Sequence, residues 1–122
     1  DYGIVNSTDG YDEVSLTGSF KVVTNGGEHI YKPSDIGMPV ASPESLEGGK
    51  TVEEAKEIFD SVLENRAHPA RRNVVIANAA FAMQVAERGN KGIEECMDMA
   101  RESLDRGRAL TAFRRFVELN AI

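Results

Sequence analysis

Apolar residues follow two different spacings along the chain, and the change comes near residue 50. Before that point they form short runs separated by glycine, proline and polar residues, which is typical of strands and turns. After it they recur at positions three and four apart, which is typical of helices that bury one face. The pattern therefore predicts a strand-and-turn part followed by a helical part.

Three short strands are predicted in the first part. Residues 3–6 form an apolar run that ends in the turn-prone stretch 7–10. Residues 19–24 and 28–32 are rich in β-prone side chains, and the Asn-Gly-Gly segment between them allows the positive φ angles of a tight turn. We expect these two strands to form a hairpin and the first strand to stand alone.

The first two helices have distinct signatures. Thr51 and Glu54 have the spacing of a capping box, which predicts a helix start at residue 51. The second helix, residues 71–87, is apolar on nearly all sides and should be central and mostly buried. Asn78 lies inside that apolar run, so we expect it to find hydrogen-bond partners.

The remaining helices complete the helical part. The third is expected to be capped near Asn90 and to end at Gly107, and a fourth follows to about Asn120. A lone strand and one hairpin provide too little sheet to cover four helices. Successive helices also differ from the strand and helix alternation of a complete doubly wound domain. We therefore expect an α/β fold of which this chain forms one part.

Composition disfavours several classes of protein. The 122 residues carry 20 acidic and 14 basic side chains, a formal charge of -6, which disfavours a nucleic-acid partner. No apolar run approaches the roughly 20 residues that span a bilayer, and the first residues lack the basic start of a secretory signal. Cys96 is the single cysteine, so no internal disulfide or thiolate cluster can form. We expect a soluble, cytoplasmic protein without membrane or nucleic-acid partners.

Five short motifs occur in order along the chain. They are Gly10-Tyr11-Asp12-Glu13 after the first strand, Asp35-Ile36-Gly37 after Lys32-Pro33, Gly48-Gly49 before a helix, Asn78-Ala79-Ala80 within a helix, and Ser103-Leu104-Asp105-Arg106-Gly107 near the end. Each motif is weak alone. Together they extend over almost the whole chain. With these motifs the chain resembles the C-terminal portion of proteins of the anthranilate phosphoribosyltransferase family.

The resemblance implies an α/β fold shared with pyrimidine nucleoside phosphorylases, in which a small helical domain joins a larger domain with a mainly parallel sheet. Residues 1–122 would be the C-terminal part of the larger domain, with a few short strands including a hairpin and then about four helices. The family's helical domain and its Gly-Thr-Gly-Gly-Asp phosphate loop are not in this sequence. We therefore expect the chain to be inactive alone and the complete enzyme to be a homodimer through the helical domain.

The resemblance also implies a reaction. The family transfers the 5-phosphoribosyl group of phosphoribosyl pyrophosphate to the amino nitrogen of anthranilate, a step of tryptophan biosynthesis. Mg²⁺ can neutralise the negative charge that grows on the departing diphosphate. By resemblance, Asp12 and Glu13 bind that Mg²⁺, and Gly10 lets the loop turn beside a charged ligand. No catalytic residue and no anthranilate contact is carried over, because the family's substrate contacts lie mainly upstream.

Two positions depart from the family pattern. Asn6 stands where many members have histidine, so a hydrogen-bonding group is kept but a titrating imidazole is not. Glu54 replaces the family's asparagine near the start of the first helix, where the capping box gives glutamate a structural reason. The acidic pair itself is intact.

Two other functions stay open at this point. One is a nucleic-acid-binding paralogue of the same family, which the acidic charge disfavours and a salt-dependent gel shift with single-stranded DNA would support. The other is a non-catalytic structural or interaction module that pairs its strand edges with another chain. Concentration-dependent assembly without an upstream segment would support such a module.

Overall fold

The computed structural model describes residues 1–121, in which three strands precede two short 3₁₀ turns and four α-helices. The strands are β1 (Gly3–Ser7), β2 (Phe20–Thr24) and β3 (Gly27–Tyr31), and the 3₁₀ turns are Pro33–Ile36 and Pro43–Leu46. The helices are α1 (Val52–Leu63), α2 (Pro69–Ala86), α3 (Ile93–Asp105) and α4 (Arg108–Asn120). The predicted order of short strands followed by four helices is confirmed.

The three strands form one antiparallel sheet in the order β1-β2-β3. The predicted hairpin is confirmed, with Thr24 opposite Gly27 at its turn. The expectation that the first strand stands alone is wrong, because β1 pairs with β2 and sets Ser7 opposite Phe20. Spacing did not reveal this pairing, since the loop of residues 8–19 between the two strands is much longer than an ordinary hairpin turn.

One face of the sheet packs on α2 through aromatic rings. Phe20 meets Phe81 edge to face with ring centroids 5.7 Å apart, and Tyr31 lies 5.4 Å from the same ring. Alternate strand residues point to opposite faces, so Ile4 and Ile30 point away from α2 and remain more than half exposed. Within residues 1–121 the sheet is therefore covered on one face only.

The helical core lies between α2 and α3. As predicted, α2 is central, but the expectation that it is mostly buried is wrong, because only four of its 18 residues are buried: Ile76, Ala77, Ala80 and Phe81. Those of α3 are Cys96, Met97, Ala100 and Leu104. In contrast, α4 has no buried residue among those described. No helix within residues 1–121 combines the length and apolar character that a membrane span requires.

Three helix starts show how local chemistry sets the boundaries. Thr51 Oγ1 accepts a hydrogen bond from the backbone N–H of Glu54 (3.1 Å), which confirms the predicted cap of α1. Helix α2 starts at Pro69, two residues earlier than predicted. Proline suits a first helical turn, and His68 Nδ1 accepts a hydrogen bond from the N–H of Ala70. Helix α3 begins after Gly92 rather than near Asn90, with no side-chain cap.

Candidate metal-binding loop

The loop of residues 8–19 connects β1 to β2 and carries the predicted acidic pair. It begins with a tight turn in which the N–H of Ser7 donates to the carbonyl of Tyr11 (2.9 Å) and the N–H of Gly10 donates to the carbonyl of Ser7 (3.3 Å). Gly10 has a φ of 106°, a backbone conformation that residues other than glycine rarely adopt. The turn therefore depends on the glycine of the Gly-Tyr-Asp-Glu motif.

Asp12 and Glu13 are both exposed to solvent on this loop. Within residues 1–121, no lysine or arginine forms an ion pair with either carboxylate. The loop thus offers two free oxygen-donor groups side by side in the sequence.

The residues that follow the pair anchor the loop in the core. Val14 and Leu16 are completely buried. Leu16 has a φ of 62°, which is unusual for a residue with a side chain, and its carbonyl accepts a hydrogen bond of 2.8 Å from the N–H of Ala41. The loop therefore exposes its carboxylates while the adjoining apolar side chains hold it on the protein.

A series of hydroxyl groups connects β1 to the loop. Ser7 Oγ donates to the carbonyl of Glu13 (2.6 Å) and accepts from the N–H of Ser15 (3.1 Å). Ser15 Oγ lies 2.9 Å from Ser7 Oγ and 2.7 Å from Thr17 Oγ1, and Thr17 donates in turn to the carboxylate of Asp9. Because Ser7 and Ser15 are buried, the bond from the Ser15 N–H to Ser7 Oγ is shielded from water, whereas the Thr17–Asp9 bond is exposed.

Asn78 connects α2 to the same loop. Its Oδ1 accepts from the N–H of Val14 (3.1 Å), and its Nδ2 donates to the carbonyls of Val14 (2.8 Å) and Val74 (2.9 Å). The predicted need of Asn78 for hydrogen-bond partners is therefore confirmed. The apolar helix around it was the signal for that need, but the partner in the loop could not be read from the sequence. The roles of Ser7 and Ser15 were missed because their hydroxyls have no distinguishing pattern.

The available donors fit a hard divalent cation. Mg²⁺ commonly takes one or two carboxylates from a protein and completes its shell with water and phosphate oxygens. Within the described part of the chain, no group of three or more His, Cys, Asp or Glu side chains could hold a metal ion. Asp12 and Glu13 would therefore supply only part of the ligand shell of such a cation.

The other sequence motifs have structural surroundings. Gly27 closes the β2–β3 hairpin with a φ of 120°. A Cβ at Gly49 would lie 2.5 Å from the backbone nitrogen of Ala55, so glycine permits the close approach of this loop to α1. Asn6 is exposed and points away from α2, on the same face of the sheet as Ile4. Gly27 and Gly49 therefore have structural roles that require no ligand.

Relatives that carry an enzyme name match the chain along nearly its whole length. It is 53% identical over 120 residues to anthranilate phosphoribosyltransferase of Phocaeicola vulgatus, a match that covers 98% of this chain and 36% of the relative. The enzyme of the same name from Cytophaga hutchinsonii is 42% identical over 117 residues and is covered to 35%. The chain thus spans only about a third of the length of these relatives.

Solved structures show the same fold. Anthranilate phosphoribosyltransferase from Thermus thermophilus superposes with a TM-score of 0.82 at 27% identity, over 95% of this chain and 34% of that one. The Saccharomyces cerevisiae enzyme, solved in complex with PRPP and Mg, gives 0.81 at 23% identity, over 95% and 33%. Residues 2–110 match the family described as the glycosyl transferase family, a/b domain. The α/β fold that the motifs implied is confirmed, and the chain belongs to this glycosyl transferase family.

Proposed function

We propose that this chain is the C-terminal part of an enzyme that transfers the 5-phosphoribosyl group from phosphoribosyl pyrophosphate to anthranilate, and that Asp12 and Glu13 bind its Mg²⁺. The observation that carries the proposal is the pair of exposed carboxylates on a firmly anchored loop, which form no ion pair with any side chain of residues 1–121. A relative 53% identical bears the name of this enzyme, and a yeast enzyme of the same fold was solved with PRPP and Mg.

The chemistry of the transfer explains why such a loop is useful. Breaking the bond at the sugar leaves negative charge on the departing diphosphate, and Mg²⁺ stabilises that charge when bound. Asp12 and Glu13 would hold the ion through their carboxylate oxygens. The buried residues behind them would keep the loop in one geometry, so that little reorganisation is needed during the reaction.

The remaining functions belong to parts of the relatives that this chain does not match. We assign the glycine-rich phosphate loop, the anthranilate contacts and the helical dimer domain to those parts, since the chain covers 36% of its relative. On this division the isolated chain is inactive, the complete enzyme is a homodimer, and it acts in cytoplasmic tryptophan biosynthesis. The loop contributes metal binding, whereas the upstream polypeptide contributes substrate positioning.

A hybrid enzyme tests this division directly. In it, this chain replaces the aligned segment of the Phocaeicola vulgatus relative, and formation of phosphoribosyl anthranilate is followed while Mg²⁺ is varied. We expect the hybrid to be active, because the two sequences are 53% identical over that segment. The substitutions Asp12→Asn and Glu13→Gln should each raise the half-saturating Mg²⁺ concentration about tenfold or more, as expected when a ligand to a metal is weakened.

Asp98→Asn provides the matched control. Asp98 is an exposed carboxylate on α3 that pairs with Arg101, and its neutralisation changes the charge of the hybrid by the same amount. It should leave the Mg²⁺ dependence unchanged. If the Asp12→Asn and Glu13→Gln variants turn over substrate with the same Mg²⁺ dependence as the unsubstituted hybrid, the metal assignment is wrong.

A further inference from the structure

We propose that Asn78 and Ser7 are positioning residues for the metal site, because together they fix the main chain immediately after the acidic pair. This inference rests on the proposed function, since it takes Asp12 and Glu13 to be the ligands of Mg²⁺. Neither Asn78 nor Ser7 is proposed to touch the ion. Each acts through the backbone that carries the carboxylates.

The two side chains bind four successive polar groups of the main chain. Ser7 Oγ holds the carbonyl of Glu13 (2.6 Å) and the N–H of Ser15 (3.1 Å). Between these groups, Asn78 holds both the N–H and the carbonyl of Val14, at 3.1 and 2.8 Å. A backbone segment with all four groups bonded can rotate about its φ and ψ angles only by breaking at least one of these bonds.

The two anchors lie on elements that are themselves fixed. Ser7 is the last residue of β1, is buried, and pairs across the sheet with Phe20. Asn78 lies within α2 and is held there by a further bond from Nδ2 to the carbonyl of Val74 (2.9 Å). Groups that orient metal ligands act best when packed helices and strands support them. The acidic loop thus takes its geometry from β1 and α2 together.

This arrangement predicts a specific functional defect. Without Asn78 or Ser7, the backbone at residues 13–15 gains freedom, so the two carboxylates no longer face the ion in one fixed geometry. The expected consequence is weaker Mg²⁺ binding, with a reaction rate at saturating Mg²⁺ close to that of the parent. If the two residues had only a structural role, their substitution would lower stability and leave the Mg²⁺ dependence unchanged.

The chain offers a matched control for each anchor. Asn65 Nδ2 also donates to a backbone carbonyl in a partly buried contact, that of Leu104 (2.8 Å). Ser61 is also buried, and its Oγ donates to the carbonyl of Ile58 (2.6 Å). Asn65→Ala and Ser61→Ala therefore each remove one side-chain hydrogen bond away from the acidic loop, which is fewer than the bonds removed by Asn78→Ala or Ser7→Ala.

The experiment uses the hybrid enzyme with Asn78→Ala, Ser7→Ala and the two controls. Two quantities are measured: the half-saturating Mg²⁺ concentration for product formation, and the rise in unfolding temperature when Mg²⁺ and inorganic pyrophosphate are added. We expect Asn78→Ala and Ser7→Ala each to raise the half-saturating Mg²⁺ concentration about tenfold. Each should also reduce the rise in unfolding temperature that Mg²⁺ and pyrophosphate cause. The controls should lower only the unfolding temperature of the ligand-free protein.

The outcomes separate this inference from the function on which it rests. If Asn78→Ala and Ser7→Ala leave both metal readouts at the level of the controls, while Asp12→Asn changes them, the positioning role is wrong and the metal assignment stands. If Asp12→Asn and Glu13→Gln also change neither readout, the proposed metal site fails and the positioning role fails with it.

Discussion

Two neighbouring glycines differ in the room that they leave for a side chain. A Cβ at Gly49 would lie 2.5 Å from the Ala55 nitrogen and 2.5 Å from Glu54 Cβ, whereas a Cβ at Gly48 would meet nothing within 4 Å. We predict that Gly49→Ala destabilises the hybrid enzyme by about 1–3 kcal/mol, because backbone must move to admit the methyl group. Gly48→Ala should stay within about 0.5 kcal/mol of the parent in the same denaturant titration. Equal stabilities of the two variants would contradict the close approach.

Cys96 should be an unreactive thiol in the folded protein. It is completely buried, and burial raises the pKa of its thiol, with the nearby Glu95 carboxylate adding to the effect. We predict slow alkylation of Cys96 by iodoacetamide at about pH 8 and fast alkylation after unfolding, as measured by peptide mass spectrometry. Comparable rates in the folded and unfolded states would show that the thiol is accessible.

The raised pKa of the Cys96 thiol should make the protein less stable at alkaline pH. The folded state holds the thiol proton more tightly than the unfolded chain does. The contribution of the protonated thiol to the free energy of unfolding is therefore complete below the thiol pKa of the unfolded chain, about 8.5, and is lost as pH rises through the thiol pKa of the folded state. The Cys96→Ala hybrid should therefore lose less stability than the parent between about pH 8 and pH 10. Parallel losses in both proteins over that range would contradict the assignment.

Residue identities alone predicted some features of the candidate site better than others. Asn78 was recognisable because an amide in an apolar helix requires partners, and the structure supplies them. Ser7 and Ser15 were not recognisable, because a serine next to a turn is common and its burial depends on the distant packing of β1 and β2. The acidic pair came from a family motif rather than from its own chemistry.

At the level of single elements, the cap of α1 is the clearest prediction that the structure bears out. Thr51 Oγ1 accepts from the N–H of Glu54 (3.1 Å), and Glu54 Oε2 accepts from the N–H of Lys50 (2.7 Å). We predict that Thr51→Ala lowers the unfolding free energy of the hybrid by about 1 kcal/mol in a denaturant titration. Thr51→Ser keeps the hydroxyl and should behave nearly as the parent. If both substitutions have the same effect, the cap contributes little.

Other elements depended on contacts that sequence spacing does not contain. The hairpin and the four helices follow from local turn and periodicity signals, and they are present. The pairing of β1 with β2 was missed because it joins residues on either side of the 8–19 loop. The start of α3 was misplaced because Asn90 offers a capping side chain, whereas the helix begins after Gly92 without one.

On the scale of the whole molecule, the exposed apolar surface agrees with the proposal that this chain is one part of a larger enzyme. Ile4 and Ile30 are 59% and 58% exposed on the open face of the sheet, and Phe116 and Leu119 of α4 are 62% and 68% exposed. We predict that the isolated chain binds the dye ANS strongly and that the hybrid enzyme binds much less per chain, because further polypeptide covers these surfaces. Equal dye fluorescence per chain would contradict that covering.

The central claim is that Asp12 and Glu13 hold a divalent cation together with a diphosphate, and direct counting of bound metal tests it most closely. Mn²⁺ accepts the same oxygen ligands as Mg²⁺ and its free form can be measured by electron paramagnetic resonance. With pyrophosphate present, the hybrid should remove Mn²⁺ from solution in a saturable manner, and the Asp12→Asn/Glu13→Gln double variant should do so far more weakly. Equal Mn²⁺ occupancy in the hybrid and the double variant would contradict the account.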